Sequence, residues 1–97
     1  MIPVKRLEIV VDAPHSRHVT RLLESHGLTG WTLLRNVTGS GERGRQLADE
    51  LTGVSSNHLI LCACQPEVFE TLMEELRALL VRTGGMCLIS DAQWLRH

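Results

Sequence analysis

Residues 39–45 read Gly39-Ser40-Gly41-Glu42-Arg43-Gly44-Arg45. Glycine lets backbone come close to a ligand. Arg43 and Arg45 carry planar, permanently charged forks that match phosphate or carboxylate. Successive amides in such a turn can cradle an anion as well. The chemistry on offer is anion binding rather than catalysis. The bland alternative is a solvated polar loop, the usual fate of basic residues between glycines. A second candidate cluster is His58, Cys62 and Cys64. On a strand these share one face with Ile60, and a Cys-x-Cys pair with a histidine could hold a soft metal. The spacing is not the Cys-x₂-Cys of zinc sites, and buried cysteine commonly acts as a small hydrophobe. Core packing is therefore the preferred reading. The five histidines are scattered. His15 and His18 lie one turn apart on a helix, and with no evident carboxylate or cysteine partner they read as surface side chains. Glu74 and Glu75 read as part of a solvent face. No nucleophile–base pair and no catalytic carboxylate pair is apparent.

These residues sit on a chain of 97 residues, the size of one domain. A domain this small buries only part of its surface, so association with further copies would help it. Ten basic against eleven acidic side chains leave no basic surface for nucleic acid, and an aromatic content of 3% leaves no base-stacking platform. Three cysteines without a secretory signal point to a reducing cytoplasm and no disulfide framework. No apolar run reaches the roughly 18 residues of a membrane span.

Periodicity supplies the elements. A β-branched apolar run predicts a strand over about residues 4–11. Asp12 is placed to cap a helix that Pro14 starts. Val19, Leu22 and Leu23 give that helix a narrow apolar stripe, with His15 and His26 on its margins, and Gly27 ends it. Residues 31–37 form a second strand and residues 57–64 a third. The third is apolar on both faces, so both must be covered, one of them by another subunit. Pro66 opens a strongly amphipathic helix with Val68, Phe69, Leu72, Met73, Leu76, Leu79 and Leu80 on its apolar side. Thr83-Gly84-Gly85 ends it. Residues 86–89 form a short fourth strand, and residues 91–97 a tail free to pack on a neighbour. The connection between the second and third strands is far longer than the roughly 2–5 residues of a hairpin loop, and long loops in small domains tend to be functional or disordered. The order strand, helix, strand, strand, helix, strand is the ferredoxin-like α+β arrangement: one antiparallel sheet with two helices on one face. Residues 1–97 form a single domain on this reading.

Three stretches carry a family resemblance. Gly27-Leu28-Thr29-Gly30-Trp31-Thr32-Leu33 leads into the second strand, Gly39-Ser40-Gly41-Glu42-Arg43-Gly44 opens the long loop, and Thr83-Gly84-Gly85-Met86-Cys87-Leu88-Ile89 joins the last helix and strand. In this order and spacing the chain resembles the PII signalling superfamily, more closely its PII-like branch associated with bicarbonate transporters and carboxysomes. The resemblance implies a homotrimer with adenine nucleotides in three clefts between subunits. A mobile T-loop, at about residues 40–56, would report to a target protein. It implies that Gly39, Gly41, Arg43, Gly44 and Arg45 form the base of that loop. Gly84, Gly85, Met86 and Cys87 would lie in or just after the B-loop, reaching the nucleotide from a second chain. Two features of the superfamily's nitrogen-regulatory members are missing. There is no Gly-Asp-Gly-Lys run, and no tyrosine anywhere in the chain. This argues against 2-oxoglutarate sensing and uridylylation, and favours AMP, ADP or cyclic AMP over Mg-ATP, with bicarbonate as a second ligand.

The sequence thus reads as a cytoplasmic, non-enzymatic nucleotide sensor that regulates inorganic-carbon uptake or carboxysome function, acting on a bicarbonate transporter or other target. The first alternative is a metal-binding trimer of the divalent-cation tolerance type using His58, Cys62 and Cys64. A small enzyme working in the sheet cleft and a plain assembly module are the others.

Overall fold

A computed structural model describes residues 1–38 and 56–97. Strand β1 spans Ile2–Asp12, a single 3₁₀ turn Ala13–His15 leads into helix α1 at Ser16–Ser25, and β2 spans Thr32–Val37. Strand β3 covers Asn57–Cys64, helix α2 Pro66–Thr83, and β4 Met86–Trp94. The sheet is antiparallel throughout, in the order β2-β3-β1-β4. Both helices pack on one of its faces, which is the ferredoxin-like arrangement expected.

Alternation along the strands builds the core. Leu7, Ile9 and Val11 of β1 and Ile60, Cys62 and Cys64 of β3 point the same way. Val19 and Leu23 of α1 and Leu72, Leu76 and Leu79 of α2 close over them. Burying a leucine or isoleucine side chain contributes roughly 1.5–3 kcal/mol. Pro66 sets the first turn of α2, and Gly84, in the left-handed region at φ 78°, ends it with its N–H donated to the Leu80 carbonyl at 2.8 Å.

Among the described residues no helix covers the other face. The register aligns Leu34, Leu59, Val10 and Met86 in one row across all four strands, with Thr32, Leu61, Glu8 and Leu88 in the next. Leu34, Met86, Leu88 and Trp94 are 44–57% exposed. Among charged side chains there, Arg6 donates to Glu8 at 2.5 Å.

Four expectations need correction. The first strand runs from Ile2 to Asp12 because its full length is paired. The fourth does not stop at residue 89: it continues to Trp94, pairing back to Ile2, so residues 91–94 belong to the sheet rather than to a free tail. Lys5 and Asp91, cross-strand partners 2.6 Å apart, help hold that extension. Asp12 makes no side-chain capping bond; its carboxylate instead accepts from His15 Nδ1–H at 2.5 Å. Nor are the histidines without carboxylate partners: His26 pairs with Glu75 on α2, which removes Glu75 from a purely solvated face.

This packing sets the tolerance of two glycines and the reactivity of the thiols. Gly85 sits at φ 103°, and a Cβ there would lie 2.5 Å from the Val10 carbonyl oxygen. Gly85→Ala should therefore lower stability by more than about 1 kcal/mol, through strain at positive φ and a clash with backbone. Gly30→Ala, with open space around it, should stay within about 0.5 kcal/mol. Denaturant midpoints check the contrast, and equal midpoints would refute it. Burial pushes the Cys62 thiol up to about 11, with a smaller contribution from Cys64, and pushes Cys87 up to about 11 as well. In the unfolded chain these groups ionise near 9.0. Stability from the protonated thiols is thus full below pH 9 and is lost as pH rises toward 11. Alkylation by iodoacetamide at about pH 8 should be slow in the native protein and fast once it is unfolded.

Candidate functional site

The antiparallel register gathers four chain ends at one end of the sheet. Val37, at the end of β2, lies opposite Asn57, and Asn57 lies opposite Asp12. Met86, at the start of β4, lies opposite Val10. The described roots of the long connection, Thr38 and Ser56, therefore share this end with the Gly84-Gly85 turn. Three inter-strand spacings of about 4.8 Å separate β2 from β4, so a ligand of roughly 14 Å could touch both. The backbone fastens the second root: Ala13 N–H donates to the Ser56 carbonyl at 2.8 Å.

The first root is irregular. The β2–β3 register breaks between Leu34 and Val37, and Asn36 takes φ 58°. Asparagine tolerates the left-handed region better than other non-glycine residues. Bulges near sheet ends re-aim the chain and are frequent beside functional sites. An Asn-Val-Thr-Gly run at the end of an apolar strand was the available signal for this, and sequence reasoning passed over it.

A polar cluster supports the second root. The Ser16 hydroxyl donates to the Ala13 carbonyl at 3.0 Å, and His58 Nδ1 lies 3.1 Å from Ser16 Oγ. With the hydroxyl proton already committed, Nδ1 must be the protonated nitrogen and donate to Ser16. This is the wrong direction for a general base, which would have to accept from the hydroxyl. Ser16 is also buried. The Ser–His contact is thus a structural bond between α1 and β3, not an activated nucleophile.

The predicted site residues divide. Gly39, Gly41, Arg43, Gly44 and Arg45 lie outside the described residues, as does most of the T-loop expected at about 40–56. Gly84, Gly85, Met86 and Cys87 lie at the sheet end just described. The demand for glycine at position 85 comes from the chain's own β1, whose Val10 carbonyl and Val11 side chain fill the space of a Cβ. Met86 and Cys87 point to opposite faces of β4. Met86 lies exposed on the uncovered face, while Cys87 is half-buried against the core, across from Ile9. The side chain of Cys87 is therefore occupied in packing. Cys62 and Cys64 are buried beneath the helices, as the core reading expected. Among the described residues no group of three His, Cys, Asp or Glu side chains is placed to hold a metal ion.

Comparison with known proteins agrees with this architecture. No curated protein sequence matches the chain. Among solved structures, CPII from Thiomonas intermedia K12, a nitrogen regulatory PII-like protein bound to ADP, AMP and bicarbonate, superposes with a TM-score of 0.80 at 26% identity, over 98% of this chain and 96% of that one. CPII bound to ADP and bicarbonate gives 0.79 at 28% identity, over 97% and 90%. A PII-like signalling protein of Thermus thermophilus shares the fold at 0.71 and 15% identity, over 94% and 87%. The family model for nitrogen regulatory protein P-II matches residues 4–97, nearly every residue from β1 to the C-terminus. With the sheet and both helices in agreement, the chain belongs to the nitrogen regulatory protein P-II family, whose members are signalling proteins.

Proposed function

We propose that this chain is a cytoplasmic regulatory protein without enzymatic activity, which binds AMP or ADP at the sheet end carrying the loop roots and the Gly84-Gly85 turn. The observation that carries this reading is the similarity, over almost the whole of both chains, to CPII structures holding ADP, AMP and bicarbonate. Residues 1–97 act as one domain, with residues 40–56 as its T-loop. Gly39, Gly41, Arg43 and Gly44 shape the phosphate pocket, and Arg45 adds a second cation. Gly84, Gly85 and the exposed Met86 of a neighbouring copy line the other side of this cleft between subunits, and Cys87 contributes through its backbone only.

The uncovered apolar face supports assembly of three copies around a common axis, which removes the rows containing Val10, Leu59 and Leu61 from water. Nucleotide binding then acts by population shift, since a ligand that touches an ordered loop favours that state by its differential affinity. The target is a bicarbonate transporter or another protein of inorganic-carbon handling, with bicarbonate as a second ligand coupled to the nucleotide.

Calorimetric titration tests this. ADP or AMP should bind saturably at about one per chain, and Arg43→Ala should weaken binding by about tenfold or more, the loss of one charge-assisted contact to phosphate. Sedimentation should show the same trimer for both chains. Bicarbonate should change nucleotide affinity, and nucleotide should change bicarbonate affinity by the same factor. No nucleotide binding at all would refute the reading. Unchanged affinity in the variant would remove Arg43 from the pocket.

A further inference from the structure

A groove of about 700 Å³ is lined by residues of α1 and α2, within the size range of small-molecule sites. Its floor includes Leu22, Ala78 and Leu79, and its walls carry His15, His18 and Arg21 from α1 and Glu75 and Arg82 from α2. Two arginines against one carboxylate is a local excess of positive charge on a chain whose net charge is −1, and His15 is already engaged by the Asp12 carboxylate. The carboxylate is already engaged, because Glu75 pairs with His26. Among the described residues neither Arg21 nor Arg82 takes part in an ion pair. Arg21 and Arg82 stand exposed on the two helices that line the groove, free to turn toward a ligand in it.

We propose that this groove binds a small organic polyanion. Arg21 and Arg82 hold anionic groups from opposite walls, and Leu22, Ala78 and Leu79 receive the carbon skeleton between them. Bidentate geometry suits guanidinium to phosphate and carboxylate alike, so the shared chemistry is two or more anionic groups on a compact molecule. The groove uses none of the residues assigned to the proposed nucleotide pocket, although Thr83, which also lines it, adjoins Gly84.

Titration of the full-length chain with citrate and with pyrophosphate, at matched ionic strength, separates the carboxylate source from the phosphate source. At least one should bind saturably. Arg21→Gln and Arg82→Gln should each weaken it by about tenfold, as the loss of a charge-assisted contact requires. Glu75→Gln should tighten it several-fold, a gain that damage to the fold would not produce. Absence of saturable binding by either anion would overturn the proposal. So would binding that the arginine variants leave unchanged, or a Glu75→Gln chain that binds no tighter.

Discussion

The structure depends on a four-stranded sheet that is apolar on both faces, of which the two helices among the described residues cover one. Leu7, Ile9, Val11, Ile60 and Cys62 are sealed under α1 and α2, while Val10, Leu34, Leu59, Leu61, Met86 and Leu88 share the opposite face, which no described helix covers. A domain of this size already buries a smaller share of its surface than a larger one would. Leaving a row of leucine, valine and methionine in water works against the hydrophobic term that holds the rest together. The proposed assembly of three copies would take that face out of water. The Arg6–Glu8 pair gives the face polar definition within its apolar rows.

The same antiparallel connectivity decides where ligands can act. Placing β1 and β3 at the centre sends the ends of β2 and α2 to one end of the sheet, so the roots of the long connection and the glycine turn share that end. The turn is held firmly, since Gly85 lies against the Val10 carbonyl and Thr83 Oγ–H donates to the Gly84 carbonyl at 2.9 Å. The second root is fixed through Ala13 and the Ser16–His58 bond. A ligand bridging this fixed frame and the intervening loop gains differential affinity for one loop arrangement. That is all a signalling protein of this kind needs, and no proton transfer enters the account.

Much of this was legible in the sequence because the deciding signals are local. Asn57–Cys64 and Pro66–Thr83 emerge with the expected bounds, since proline and glycine punctuate an apolar run and an amphipathic one. The assignment of Cys62 and Cys64 to the core follows from strand alternation alone. What escaped is tertiary. Residues 91–94 look like part of a tail until β1 lies alongside, and the Lys5–Asp91 pair joins positions 86 apart in sequence. The His26–Glu75 pair spans 49 positions. The reason for glycine at 85 is a neighbour's carbonyl, invisible to any local reading. The Asp12–His15 pair, by contrast, spans three residues and was readable. It was missed because aspartate before proline suggested a helix cap. Motifs in residues 39–45 and 83–89 suggested the candidate site; the first lies outside the described residues, and the sheet end that the second shares with Thr38 and Ser56 required the strand order.

Amide hydrogen exchange with and without ADP tests the central claim most directly, because it reports where the nucleotide acts as well as whether it binds. The account predicts slower exchange at residues 36–38, 56–58 and 84–87 on addition of ADP, with the middle turns of α1 and α2 unchanged. Protection confined to the helices, or no change anywhere at saturating ADP, would contradict it.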